Sequence, residues 1–165
     1  MGDTATVVKV GIADLNIVSV PDKIRTSGLG SCIGVVIYDL SNQMAGLAHV
    51  MLPDSAMAKQ DNLNKYKYAD TAIDILVDKL IVAGAEKFAL KAKMAGGAQM
   101  FQFTSGNDFM RIGPRNAAAV EKRLKFHRIR LIAKDIGGNS GRTIEFDPET
   151  GKLHIRTISE GERVI

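Results

Sequence analysis

The sequence predicts an α+β fold, in which two main helices pack on mostly antiparallel strands. Three observations support this prediction. Short runs rich in β-branched residues recur along the chain, separated by polar or glycine-containing turns. Two longer stretches, 68–83 and 114–127, instead carry apolar residues at helical spacing. Most of the predicted strands follow one another through connections of the antiparallel kind.

The first third of the chain is predicted to be mainly strand. Residues 6–20 are rich in valine and isoleucine and predict one or two strands, with a bulge or bend at Gly11. A short strand over 23–26 leads into a glycine-containing turn. Two apolar runs follow, 32–39 and 44–52, and the short polar connection between them predicts a hairpin.

A loop, a helix and a further strand are predicted next. Residues 54–65 are polar and show no period, which predicts a loop, either a flap over a neighbouring site or a plain connector. Residues 68–83 carry one apolar stripe and end at Gly84, a natural C-terminal stop for a helix. Residues 87–94 alternate apolar and polar side chains and predict a strand.

The last third of the chain predicts a helix followed by strands. Pro114 suits the first position of a helix, which we expect to run to about His127. Residues 129–136 predict the next strand. Residues 142–146 and 153–158 predict paired strands, because the segment between them has good turn chemistry.

Length and composition predict a single domain spanning residues 1–165. The chain has 165 residues, of which 45% are apolar, enough for a hydrophobic core. No run approaches the ~20 apolar residues that cross a bilayer, and no secretory signal opens the sequence, so we expect no membrane insertion. Cys32 is the one cysteine, which excludes an internal disulfide and fits a reducing cytoplasm, where we expect this protein.

The charge pattern argues against two classes of function. The net charge is +4, but the basic residues are spread along the chain and no nucleic-acid recognition motif occurs, so we expect no nucleic-acid partner. Asp70, Asp74 and Asp78 are spaced by four on the first predicted helix. We interpret them as a solvated face rather than a metal site, and we expect no metal.

The predicted hairpin brings the cysteine close to a histidine. A symmetric loop centred on Ser41 and Asn42 pairs residues whose numbers sum to 83, which places Gly34 opposite His49. Because side chains alternate between the two faces of a strand, Cys32 and His49 then point to the same face as diagonal neighbours. Gly34 leaves space for the imidazole. A loop longer by one residue would place the two side chains on opposite faces.

A thiol beside an imidazole has the chemistry of a nucleophile and its base. The imidazole can take the thiol proton and leave a thiolate–imidazolium pair. Backbone N–H groups around Gly30 and Ser31, just before Cys32, can stabilise an oxyanion. Thr26 can orient the imidazole if it sits on an adjacent strand, the third role in a triad. The alternative is a purely structural pair, since a lone cysteine is often a small buried apolar residue.

A set of short blocks occurs in order over most of the chain. They are Thr26, LGSC at 29–32, HVMLP at 49–53, GGAQMF at 96–101, IGPRN at 112–116, DIGG at 135–138 and GR at 141–142. Each block alone is weak evidence, but together they are specific. They resemble the signature of the chemoreceptor glutamine deamidase family, CheD.

The resemblance sharpens both the fold and the function. It implies a layered α/β/β sandwich and a cysteine hydrolase with Cys32, His49 and Thr26 as its triad. The implied reaction converts specific glutamines on the cytoplasmic domain of chemoreceptors to glutamate through a thioester. It needs no metal or organic cofactor.

The resemblance also implies a protein partner, the CheC phosphatase. We interpret Gly97 and Phe101 as candidate partner contacts, because a double glycine lets another backbone approach and an exposed aromatic ring can anchor an interface. A second hypothesis therefore stands beside the enzyme: a binding module that engages CheC or receptors with little or no catalysis.

Overall fold

A computed structural model of the chain describes residues 4–58, 63–99 and 111–165. Within these ranges it contains ten strands: β1 Val7–Val10, β2 Leu15–Ser19, β3 Lys23–Leu29, β4 Ile33–Asp39, β5 Met44–Val50, β6 Lys91–Gly96, β7 Arg130–Ile136, β8 Arg142–Asp147, β9 Lys152–Thr157 and β10 Gly161–Val164. Its helices are α1, Ala69–Val82, and α2, Ile112–Phe126, with short 3-10 turns at Ser55–Met57 and Lys87–Ala89.

The strands form two five-stranded sheets. The first has the order β1-β3-β8-β9-β10 and the second the order β2-β5-β4-β6-β7. The pairs β1–β3 and β6–β7 are parallel and the others are antiparallel. The predicted α+β class with mostly antiparallel strands is therefore confirmed.

Two apolar clusters define three layers. The first cluster joins the apolar stripes of both helices, including Leu76 and Val120, to one face of the second sheet. The other cluster fills the space between the sheets, with Phe146 and Leu29 among its fully buried side chains. Every residue of β4 and β5 is buried, because helices cover one face of these strands and the first sheet covers the other. The layering is the α/β/β sandwich that the family resemblance implies.

The segment after α1 differs from its prediction. Strand β6 begins only at Lys91, and Lys87–Ala89 forms a 3-10 turn instead of the predicted start of a strand. The alternating pattern is misleading here because Phe88, expected on the buried side, is fully exposed. Strand β10 was not predicted, since its four residues are all exposed and show no alternation.

Polar contacts between α1 and α2 correct the interpretation of the helical aspartates. Asp74 accepts hydrogen bonds from Nε of Arg123 at 2.8 Å, and its Oδ1 lies 2.6 Å from Nε2 of His127. Asp70 accepts from the hydroxyl of Ser55 at 2.6 Å. Only Asp78 of the three is exposed as expected. Asp74 thus helps to fix α2 on α1, and α2 in turn reaches the candidate site.

Candidate active site

The register of the β4–β5 hairpin is the one predicted. Gly34 pairs with His49, and the ladder runs from Asp39 opposite Met44 to Ile33 opposite Val50. Both strands are shorter at this end than predicted, because the ladder stops at Ile33 and Val50. Cys32 is therefore the first residue before β4 rather than part of the strand.

Cys32 and His49 enter the same layer of the molecule. The half-buried side chain of Cys32 packs against the apolar cluster between the two sheets. His49 is fully buried and reaches across this layer to Thr26 of β3. The hairpin thus directs the thiol and the imidazole to one side of the second sheet, at the end where β4 begins.

The space above Gly34 serves the packing of the two sheets. A Cβ atom on this residue would lie 2.6 Å from Cδ1 of Ile144, 3.1 Å from Cδ1 of Leu29 and 3.5 Å from Cγ2 of Thr26. The sequence prediction was that this glycine leaves room for the imidazole. In the structure it also lets the first sheet approach closely enough for Thr26 to contact His49.

The hydrogen bonds of Thr26 determine which nitrogen of His49 carries the proton. The Thr26 hydroxyl lies 2.7 Å from the carbonyl oxygen of Val10, which can only accept, so the hydroxyl donates to it. The same oxygen lies 2.8 Å from Nδ1 of His49 and must accept there, because its single hydrogen is already used. His49 therefore carries its proton on Nδ1. Its Nε2 is left with a free lone pair, the form a general base requires.

Nε2 of His49 is buried and has no hydrogen-bond partner among the described residues, Cys32 included. Unsatisfied buried polar atoms are uncommon in folded proteins, and a catalytic role is one of the explanations for them. Hydrogen bonds of a catalytic pair are often completed only when substrate is present. The free nitrogen is thus available to a thiol or substrate that enters the site.

Burial favours the uncharged forms of both side chains. It lowers the pKa of His49 below the ordinary imidazole value of 6.5 and raises the pKa of the Cys32 thiol above 9.0. At neutral pH the resting pair is therefore a thiol and a neutral imidazole. A thiolate–imidazolium pair, the form that the sequence suggested, would require both charges to be held away from water.

The loop that leads into Cys32 is held in place by hydrogen bonds to its carbonyl oxygens. The oxygen of Gly30 accepts from the N–H of Ala98 at 2.8 Å, and the oxygen of Cys32 accepts from the N–H of Gly97 at 2.9 Å. Between them, the oxygen of Ser31 accepts from the side-chain amide of Asn116 at 2.9 Å. The N–H groups of Ser31 and Cys32 have no acceptor among the described residues. The sequence suggested the N–H groups around Gly30 and Ser31 for an oxyanion, but the N–H of Gly30 donates to the carbonyl oxygen of Gly28 at 3.1 Å.

Two glycines at the end of β6 allow the close approach that holds this loop: Gly96, its last residue, and Gly97, which follows it. A Cβ atom on Gly96 would lie 2.2 Å from the carbonyl oxygen of Cys32. Gly97 is buried, and a Cβ atom there would lie 3.0 Å from the carbonyl oxygen of Gly113 in α2. The interpretation of Gly97 as a partner contact is therefore wrong, since its surface is covered by the protein itself. Phe101, the other candidate contact, lies outside the described residues.

Two supporting residues were not recognised from the sequence. Asn116 is fully buried and donates to the carbonyl groups of both Ser31 and Met51. Arg142 is also buried and donates to the carbonyl oxygen of Gly96 at 3.3 Å. Both residues fall inside the blocks IGPRN and GR that carry the family resemblance. A polar residue inside such a block was the available signal, although it did not reveal which backbone groups each would bind.

Comparisons with known proteins agree with the resemblance. A family model described as CheD chemotactic sensory transduction matches residues 51–157. Chemoreceptor glutamine deamidase CheD of Bacillus velezensis is 59% identical over 98% of this chain and 97% of its own length. The protein of the same name from Halalkalibacterium halodurans is 60% identical over 96% and 98%. The chain belongs to the CheD family.

Membership of the CheD family extends over the whole candidate site. The CheD model match begins after His49, but the CheD relatives cover nearly the full chain and so include the segment around Cys32. The CheD protein of Bacillus subtilis is 58% identical over 98% of this chain and 97% of its own length. A crystal structure of a Neisseria meningitidis protein is also similar, with 11% identity and a TM-score of 0.49 over 82% of this chain and 65% of that one; nothing further rests on this likeness.

Two further findings on this CheD-family chain concern metal-binding groups and membrane-spanning helices. Among the described residues there is no group of three or more histidine, cysteine, aspartate or glutamate side chains placed to hold a metal ion. None of the helices in the described ranges has both the length and the apolar character required to cross a membrane.

Proposed function

We propose that this protein converts specific glutamine side chains of chemoreceptors to glutamate, with Cys32 as nucleophile, His49 as base and Thr26 as the residue that orients the imidazole. The names of the CheD relatives support the reaction and its substrate. The observation that carries the mechanism is the free, buried Nε2 of His49, fixed in its basic form by Thr26. An unpaired nitrogen in the interior costs free energy, and a role as base would account for that cost.

The first half of the reaction forms a thioester. The sulfur of Cys32 attacks the carbonyl carbon of the substrate carboxamide, while Nε2 of His49 takes the thiol proton. The negative charge that develops on the amide oxygen is held by the N–H groups of Ser31 and Cys32. The imidazolium then gives its proton to the amide nitrogen, the carbon–nitrogen bond breaks, and ammonia leaves.

The second half restores the thiol. A water molecule loses a proton to Nε2 of His49 and attacks the thioester carbon. The carbon–sulfur bond breaks, the sulfur of Cys32 regains a proton from the imidazolium, and glutamate is released. The sum is one amide and one water converted to one carboxylate and one ammonium ion. Each step uses protein groups and water, so the mechanism calls for no metal or organic cofactor.

Mass spectrometry of a receptor cytoplasmic fragment tests this function. The purified protein should convert a small set of glutamines to glutamate, and Cys32→Ala should leave the same glutamines unchanged. A matched control is Gly11→Ala, which alters an exposed glycine with open space around it and should convert the receptor as the wild type does. If the wild-type protein leaves every receptor glutamine intact, the proposed function is wrong.

We propose the CheC phosphatase as a binding partner, on the basis of family membership. The chemoreceptor domain that serves as substrate faces the cytoplasm, and we propose that the protein acts there. Co-purification with CheC should persist in Cys32→Ala if binding does not require catalysis. A Phe101→Ala variant tests whether this residue belongs to the contact; unchanged binding would place the contact elsewhere.

A further inference from the structure

Asn116 is a buried polar side chain at the centre of the candidate site that the triad does not use. It lies in α2, is fully buried, and directs its amide nitrogen at two backbone carbonyl oxygens. The distances from Nδ2 are 2.9 Å to the oxygen of Ser31 and 2.9 Å to the oxygen of Met51. Ser31 directly precedes Cys32, and Met51 lies two residues after His49. One side chain therefore joins the segment of the nucleophile to the segment of the base.

The orientation of the Asn116 amide is fixed by its partners. Carbonyl oxygens can only accept hydrogen bonds, so the amino group must face both of them and the two ends of the amide cannot be exchanged. The oxygen Oδ1 then points elsewhere and is buried without a hydrogen-bond partner among the described residues. Asn116 thus leaves its own buried oxygen unpaired, while its amino group holds two carbonyl groups.

One of the two carbonyl groups is already held from another direction. The N–H of Leu52, in the same peptide unit as the oxygen of Met51, donates to the carbonyl oxygen of Lys67 at 3.1 Å. The N–H of Met51 donates to the same oxygen at 2.9 Å. The Met51 carbonyl, just after the end of β5, is therefore anchored independently of Asn116. Asn116 links the segment of Ser31 to this anchored position.

The constraint on Ser31 sets the direction of a neighbouring N–H group. The carbonyl of Ser31 and the N–H of Cys32 belong to one planar peptide unit, and in a trans peptide they point in opposite directions. When Asn116 holds the Ser31 oxygen, the Cys32 N–H is directed away from Asn116. This N–H has no acceptor among the described residues. The neighbouring carbonyl groups of Gly30 and Cys32 are held by Ala98 and Gly97, but no other described residue holds the Ser31 oxygen, so loss of the bond to Asn116 removes the constraint on the direction of this donor.

We propose that Asn116 is a positioning residue for the oxyanion hole: it holds the Ser31–Cys32 peptide so that the Cys32 N–H faces the reacting carboxamide. This inference rests on the proposed deamidase function. It assigns Asn116 a part in the stabilisation of the transition state and none in the binding of substrate or in the ionisation of Cys32. An effect of this kind lowers kcat and leaves KM unchanged.

Two variants and one control test the role of Asn116. Asn116→Ala removes both hydrogen bonds, and Asn116→Asp keeps the size of the side chain while it removes the N–H donors. Lys93→Met is the control, because Lys93 is also buried and also donates to two main-chain oxygens, those of Gly151 and Ile165, outside the candidate site. Each protein is assayed for receptor deamidation and for the rate at which iodoacetamide alkylates Cys32.

The two assays separate positioning from general damage, because alkylation needs an accessible thiol but no oxyanion donor. Loss of one oxyanion donor typically lowers kcat by about 100-fold or more. We expect losses of about this size in both Asn116 variants, with KM and the alkylation rate close to the wild-type values. Lys93→Met should retain its kcat.

Three outcomes would overturn the inference. The first is a kcat for Asn116→Ala that matches the wild type. The second is a parallel fall of alkylation and deamidation, which would indicate a structural role only. The third is a comparable loss of kcat in Lys93→Met. If Asn116→Ala does not fold, Asn116→Asp is judged by the same criteria. A wild-type protein without deamidase activity would instead contradict the proposed function itself.

Discussion

The hydroxyl of Thr26 lies 2.8 Å from Nδ1 of His49, and the two residues belong to different sheets. The contact crosses the layer between the sheets, so it exists only while the sandwich is closed. A third residue, Val10, contributes its carbonyl oxygen and fixes the direction of both hydrogen bonds. The basic form of His49 is therefore a product of the tertiary fold and not of the hairpin alone.

Replacement of Thr26 tests this orientation directly. Thr26→Val has nearly the same shape but cannot accept from Nδ1, so the imidazole loses the bond that selects its tautomer. We expect kcat for receptor deamidation to fall by at least about tenfold, which is part of the roughly 100- to 10,000-fold that a positioned general base contributes. Thr26→Ser retains the hydroxyl and should recover most of the activity. Equal activity in Thr26→Val and the wild type would show that the imidazole needs no such partner.

The dependence of kcat/KM on pH follows from the two buried groups. His49 must be neutral to act as a base, and burial lowers its pKa, so activity should rise with pH and reach its plateau with a midpoint below 6.5. Burial raises the pKa of the Cys32 thiol, so the plateau should extend beyond 9.0. As a control, the variant His154→Gln replaces an exposed histidine outside the candidate site and should leave the pH profile unchanged. A profile that falls between neutral pH and 9.0 would indicate a preformed ion pair instead.

Gly34 tests the close packing of the two sheets. In Gly34→Ala the added methyl group would lie 2.6 Å from Cδ1 of Ile144 and 3.1 Å from Cδ1 of Leu29, both fully buried. Insertion of a methyl group into a packed layer typically costs about 1–3 kcal/mol of the free energy of unfolding. Because the same layer brings Thr26 to His49, we also expect lower deamidase activity. Denaturant unfolding measures the first effect, with Gly11→Ala as a control; identical curves for the two variants would contradict the packing argument.

Gly96 and Gly84 form a matched pair for the support beneath Cys32. Both have φ of +118°, a value unfavourable for any other residue. A Cβ atom at Gly84 meets open space, whereas one at Gly96 would lie 2.2 Å from the carbonyl oxygen of Cys32. We expect Gly84→Ala to lower stability by about 1–3 kcal/mol and to retain activity. Gly96→Ala should displace the Cys32 loop and abolish deamidation.

Comparison of the two glycine variants at a temperature where both are folded separates the effects. Circular dichroism checks folding and mass spectrometry of the receptor fragment measures activity. Comparable deamidation by Gly96→Ala and Gly84→Ala would mean that the position of the Cys32 carbonyl does not matter for the reaction.

The hairpin could be predicted from the sequence because its information is local. A short symmetric connection and the two-residue period of strands fix both the register and the faces of Cys32 and His49. The same reasoning identified the β8–β9 pair. This reasoning failed in two places where the local pattern is weak. Around Phe88 the sequence alternates between apolar and polar residues, but Phe88 itself is exposed. Strand β10 has no buried residue and therefore no pattern to detect.

The rest of the site depends on contacts that are distant in sequence. Thr26 was expected on a strand adjacent to the hairpin, but it contacts His49 from the facing sheet. Its placement depends on the pairing of β3 with β8, more than a hundred residues away. Asn116 meets Ser31 across 85 residues, through the packing of α2. The periodicity of apolar residues in the sequence carries no information about such contacts, because they depend on how the three layers pack together.

The central claim is that deamidation passes through a thioester on the sulfur of Cys32, and hydroxylamine tests it most directly. A thioester at this position would be intercepted by hydroxylamine, so that the receptor glutamines become hydroxamates in competition with glutamate. We predict hydroxamate formation at the same glutamines with the wild-type protein and none with Cys32→Ala. Conversion to glutamate alone, at equal rates for both proteins and whatever the hydroxylamine concentration, would contradict the claim.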